Sequence, residues 1–96
     1  MNSPVRILIA DKAPLYRRGL KIALRQSSLN YELLEAERFG QVHGLLRRQE
    51  GVDLLLLDSL LPQLNSFGQL HRLCRKHRVP TLLLSSLVND LPNTIV

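Results

Sequence analysis

The sequence predicts an α/β domain built on an open, mostly parallel sheet. Short apolar runs, VRILIA, YELLEA, LLLL and TLLL, recur along the 96 residues. The stretches between them space their apolar residues as helices do, and Gly, Pro, Asn and Ser mark the junctions. Strands that alternate with helices in this way lie parallel and are joined by right-handed crossovers. With 45% apolar residues, the chain can bury one core and is too short for two.

Val5–Ala10 carries one Arg near its start and reads as a mostly buried strand. Pro14 suits the first turn of a helix, where its missing N–H costs nothing. From there to Gln26, Leu15, Gly19, Leu20, Ala23 and Leu24 form an apolar stripe, with Arg17, Arg18, Lys21 and Arg25 largely on the other side. Ser27, Ser28 and Asn30 make a turn, and Tyr31–Ala36 follows as a strand. Residues 39–49 form a weaker helix carrying Val42, Leu45 and Leu46. Gly40 and Gly44 weaken it, each by about 1 kcal/mol against Ala. Gly51 is its stop.

Residues 53–58 hold four leucines between two aspartates, a run apolar on both faces and therefore a central strand covered on both sides. Pro62 and Asn65-Ser66 punctuate the next loop, and Phe67, Leu70, Leu73, Cys74 and His77 give a helical stripe. Pro80 opens the strand Thr81–Leu84, which ends at Ser85-Ser86. Asn89-Asp90 with Pro92 signals one more helix start.

Composition and spacing exclude several classes. The single cysteine forms no internal disulfide and suits a reducing, cytoplasmic setting. No aliphatic run exceeds that of residues 54–57, so no membrane span is expected, and the N-terminus lacks the layout of a signal peptide. His71, Cys74 and His77 share a helix, but the two histidines diverge around it, unlike zinc ligands. The Lys and Arg clusters behind the net charge of +5 read as solvated faces of three helices. No helix-turn-helix or aromatic platform accompanies them, so no direct DNA binding by this segment is expected. Asp11-Lys12-Ala13-Pro14 replaces the glycine-rich turn of a dinucleotide site, and no Gly-x-Ser-x-Gly elbow is present.

In open α/β sheets functional groups gather beyond the C-terminal strand ends. That rule selects Asp11-Lys12, Asp58 and Ser85. Asp and Ser also favour turns, so each alone is unremarkable chemically. Together they suit phosphoryl transfer to a carboxylate: an Asp nucleophile, a cation to offset phosphoryl charge, and a hydroxyl donor.

The segments ILIADKAPLYRRGLK, LLLLDSLLPQLNSF and VPTLLLSS resemble the response-regulator receiver domain, in the style of NarL/FixJ-type regulators, over essentially the whole chain. The resemblance implies a flavodoxin-like sheet of order 2-1-3-4-5, of which this chain holds strands 2-1-3-4. Most of helix 4, strand 5 and helix 5 are then missing, roughly 20 to 28 residues. Strand 4 becomes an edge that is expected to be completed by further chain, or by a second copy through dimerisation or exchange. The resemblance further implies that Asp58 is the phospho-acceptor and Ser85 the phosphoryl contact. It makes Asp11, Asp58 and the backbone carbonyl of Leu60 the Mg²⁺ site. The implied partner is a sensor histidine kinase or another phosphodonor. The implied role is transcription control through an attached or partner DNA-binding domain, with no catalysis beyond the module's own phosphoryl transfer.

Lys12 departs from the pattern, standing where the family has a second acidic residue. A Lys cannot bind Mg²⁺, so metal binding is expected to be weak or absent and phosphorylation impaired. Opposite charges about 4 Å apart attract by roughly 1 to 4 kcal/mol, so Lys12 is a candidate lock on Asp58. The alternative is a phosphorylation-independent interaction or dimerisation module. Asn65 is expected to supply the left-handed residue where the family places Gly at the position of Ser66.

Overall fold

The computed structural model describes residues 3–48 and 51–84. The elements run β1 (Val5–Ala10), α1 (Pro14–Arg25), β2 (Tyr31–Ala36), α2 (Phe39–Arg48), β3 (Leu54–Asp58), α3 (Phe67–His77) and β4 (Thr81–Leu84). All four strands are parallel, in the order β2-β1-β3-β4, consistent with a flavodoxin-like receiver fold. The expected helix start at Asn89-Asp90 and Pro92 lies outside the described residues.

β1 and β3 are the interior strands, which is why both read as apolar on two faces. Successive side chains point to opposite faces. On one face Leu8, Ala10, Leu55 and Leu57 pack with Val42 and Leu46 of α2 and with Leu70 and Leu73 of α3. On the other Ile7, Ile9 and Leu56 meet Leu20 and Leu24 of α1.

The apolar stripe expected on α1 is only half used. Leu20 and Leu24 cover the sheet, whereas Leu15 is 78% exposed and Gly19 and Ala23 face solvent. Arg17, expected on the outer side, is instead buried. The reason is angular: Arg17, Leu20 and Leu24 stand at i, i+3 and i+7, on the stripe that meets the sheet. Leu15 is two residues out of phase with it.

The β3–α3 loop holds the starts of both neighbouring helices. The Pro62 carbonyl accepts the Phe39 N–H at 2.8 Å. The Gln63 side chain accepts the Gly40 N–H at 3.0 Å. A Cβ on Gly40 would lie 2.7 Å from that same oxygen, so any larger residue would have to displace the end of the flexible Gln63 side chain. Gln63 itself takes the left-handed conformation at φ 71°, correcting the assignment to Asn65. Asn65 instead donates its N–H to Gln69 Oε1 at 3.1 Å. Ser66 caps α3, its Oγ accepting the Gln69 N–H at 3.2 Å.

Among the described residues β4 pairs with β3 alone, and its Leu82 and Leu83 are 55% and 45% exposed. No described helix is long and apolar enough to cross a membrane.

Candidate functional site

Ala10 and Leu57 are the last register partners of β1 with β3. Asp11 and Asp58 therefore follow side by side on strands about 4.8 Å apart. Both are buried, each 3% exposed. Alternation sends Asp58 to the side of Leu56, the face that α1 covers.

Backbone bonds fix both residues. The Asp11 N–H donates to the Ala36 carbonyl at 2.9 Å, and Asp11 Oδ1 accepts the Ala13 N–H at 2.9 Å. Asp58 Oδ1 accepts the Leu60 N–H at 3.1 Å, and its carbonyl accepts the Leu61 N–H at 3.0 Å. The Ser59 N–H donates to the Leu84 carbonyl at 2.9 Å, extending the ladder to β4. Each carboxylate thus spends one oxygen on its own loop, as Asp does in tight turns.

Neither carboxylate has an ion-pair partner within 4.0 Å among the described residues. Buried carboxylates are costly unless paired or bound to a cation. Mg²⁺ is commonly held by one or two carboxylates, a carbonyl and several waters, and Asp11, Asp58 and Leu60 match that minimum. Among the described residues no group of three or more His, Cys, Asp or Glu offers a fuller ligand set.

Lys12 does not complete the pair. It is exposed, and no ion pair or hydrogen bond joins it to Asp58. The expected neutralising contact is therefore not made. Pinning a Lys side chain costs rotamer entropy of up to about 2 kcal/mol, and solvent hydrates its ammonium well. Ser85 lies outside the described residues.

Arg17 is the polar residue that sequence reasoning missed. Its Nη1 donates to the Asp11 carbonyl, its Nε to Glu35 Oε1 at 3.0 Å, and Nη2 lies 3.6 Å from Glu37 Oε1. Lys21 Nζ reaches the other Glu35 oxygen at 3.0 Å. One guanidinium thereby ties the ends of β1 and β2 to α1. Burial pushes the Glu35 carboxyl up, but the bonds from Lys21 and Arg17 outweigh it and hold the group below its ordinary 4.5. The signal was available in the i, i+3, i+7 spacing of Arg17 with Leu20 and Leu24.

The His71, Cys74 and His77 row does not form a ligand set, and Cys74 Sγ lies 3.0 Å from Thr81 Oγ1. His77 Nε2 is buried without a hydrogen-bond partner.

No family model matches the chain. It is similar to the response regulator GtcR of Aneurinibacillus migulanus, 34% identical over 84 residues, covering 88% of this chain and 34% of that protein. It is also similar to proteins described as probable transcriptional regulator ycf27 from Pyropia yezoensis and Porphyra purpurea. Those are 30% and 29% identical over 86 residues, covering 90% of this chain and 34% of each. The chain therefore spans about a third of the length of these relatives. Their similarity, together with the strand order, supports a receiver domain.

Proposed function

We propose that the chain is an atypical receiver module of two-component signalling, of the NarL/FixJ kind, with weakened Mg²⁺-dependent phosphorylation. It would regulate transcription through an attached or partner DNA-binding domain. The observation that carries this reading is the buried pair Asp11 and Asp58, side by side at the ends of β1 and β3 without a cationic partner among the described residues. The printed names of the relatives, a response regulator and two transcriptional regulators, agree with it.

In this reading an Asp58 oxygen attacks the phosphorus of a phosphohistidine or a small phosphodonor. The new O–P bond forms as the bond to the leaving group breaks, and the leaving group keeps the electron pair. The Leu60 N–H holds Asp58 Oδ1 in place during attack. Asp11, Asp58 and the Leu60 carbonyl would hold Mg²⁺, whose charge offsets that of the phosphoryl oxygens. Ser85 would donate its hydroxyl to one of those oxygens. Lys12 acts by what it replaces: it removes a carboxylate ligand and adds a like charge near the cation. The module catalyses nothing beyond its own phosphoryl transfer.

Phosphorylation by acetyl phosphate with and without Mg²⁺, followed by mass spectrometry, tests the reading. Slow labelling at Asp58, abolished by Asp58→Asn and accelerated by Lys12→Asp, is the expected result. No label in either the native chain or the Lys12→Asp variant would favour a phosphorylation-independent interaction module, which Lys12 itself makes the second reading.

A further inference from the structure

We propose that the outer surface of α2 and α3 binds the phosphate backbone of duplex nucleic acid, independently of any phosphorylation at Asp58. The two helices pack on the same face of the sheet. Between them and the C-cap of α3 they expose Arg47, Arg48, Arg72, Arg75, Lys76 and Arg78, and neither helix contains an Asp or Glu. The rest of the chain carries seven Lys and Arg against eight Asp and Glu. Among the described residues alone, the rest carries seven Lys and Arg against six Asp and Glu, so six of an excess of seven positive charges sit on this surface. As separate sequence clusters these residues read as ordinary solvated helix faces; the fold sets two of the clusters next to each other.

Among the described residues the surface is not neutralised from within. The ion pairs among the described residues involve Arg6, Arg17 and Lys21, all on β1 and α1. Helix dipoles explain part of the charge, because cations favour helix C-termini. Two C-terminal ends supply together about one negative charge, which leaves most of the six cations uncompensated. The crowding reaches His77 at the end of α3. Burial lowers its pKa below 6.5, and the positive charges of Lys76 on its own helix and of His43 and Arg47 on α2 lower it further. Its buried Nε2 lacks a partner.

The chemistry favours phosphate over an acidic protein. Five of the six cations are arginines, whose planar fork engages phosphate in a bidentate manner. A protein partner needs an apolar or aromatic anchor. Phe67 opens α3 and is exposed, but it stands about two turns before the Arg75–Arg78 cluster, and the other exposed large apolar residues, among them Leu15, Tyr16 and Leu82, lie on other elements. Without exposed aromatics in the patch there is no platform for unstacked bases, which leaves the backbone of a duplex. Arg72 to Arg78 spans about 9 Å along the axis of α3, and α2 packs on the same face of the sheet, room for several phosphates. The C-terminal turns point to the sheet end opposite Asp11 and Asp58, so the bound anion stays clear of the two buried carboxylates.

Fluorescence anisotropy of the full chain with a mixed-sequence duplex of about 20 base pairs, without phosphodonor, tests this. If four phosphates engage, affinity falls roughly a hundredfold between about 50 and about 200 mM salt. The Arg72→Glu, Arg75→Glu, Lys76→Glu triple variant should lower the salt slope by about 2 to 3 with unchanged circular dichroism. Arg47→Gln with Arg48→Gln gives a milder loss in the same direction and serves if the triple variant misfolds. Arg18→Glu with Arg25→Glu on α1 should change affinity less than about threefold, as expected for charges outside the contact. No binding at low salt, an equal loss in the α1 variant, or poly-L-glutamate binding as tightly as the duplex would overturn the proposal.

Discussion

On the α2–α3 side of the sheet Leu8, Leu55, Leu57 and Val42 are out of solvent entirely, whereas on the α1 side Leu20 and Leu24 are only partly buried. Charge divides in the opposite sense. α1 is held down by paired groups, Arg17 and Lys21 on Glu35, while the cations of α2 and α3 lack acidic partners among the described residues. One face is thus built by apolar packing with free charge outside. The other is thinly packed and fastened by a polar network that touches the Asp11 backbone. The side that carries the carboxylate site is therefore the side that gains least from burial, so its geometry depends on specific polar contacts.

The contrast can be broken most directly in the core. Leu57→Ala should cost about 3 to 5 kcal/mol in urea unfolding, the range for a fully buried leucine. Leu20→Ala on the α1 side should cost about 1 to 2 kcal/mol, because less area leaves water. Equal losses would show that the faces contribute alike.

Arg17→Met comes next, at about 1 to 2 kcal/mol, since it strips the Asp11 carbonyl and Glu35 of a charged donor. The pH dependence then separates the faces. Glu35 is depressed below 4.5 in the fold, so its stabilisation is complete above the unfolded value and lost as pH falls through the folded one. The stability difference between the native chain and Glu35→Gln should close on acidification below about pH 4.5. His77 behaves oppositely in cause but alike in sign. Its folded pKa lies below 6.5, so the unfolded chain binds the proton first and stability falls as pH drops through 6.5. His77→Gln should flatten that slope and leave the acid limb from Glu35 intact. The smallest effect is expected at Leu82→Ser on β4, within about 0.5 kcal/mol, because Leu82 is already 55% exposed.

The strands were legible because interior parallel strands must be apolar on both faces, as VRILIA and LLLL are. Asp11 and Asp58 were legible because polar groups that end such runs fall at one edge of the sheet. Arg17 and Leu15 were not. An amphipathic stripe read by residue type puts every Leu inside and every Arg outside, yet a guanidinium with two acceptors and a second carboxylate nearby is satisfied when buried, and a Leu out of phase is not covered. The tie from the Gly40 N–H to the Gln63 side chain was not legible either, because propensity is local and Gln63 comes from 23 residues away.

By itself, then, the sequence determined the element order, the parallel sheet, and the two aspartates at neighbouring strand ends, all consequences of local periodicity and of where apolar runs stop. Only the tertiary structure decided which side of α1 meets the sheet and whether Lys12 reaches Asp58. It also decided that the cations of α2 and α3 share one surface. Those outcomes depend on distances between groups remote in the chain, and burial and charge pairing are properties of such distances.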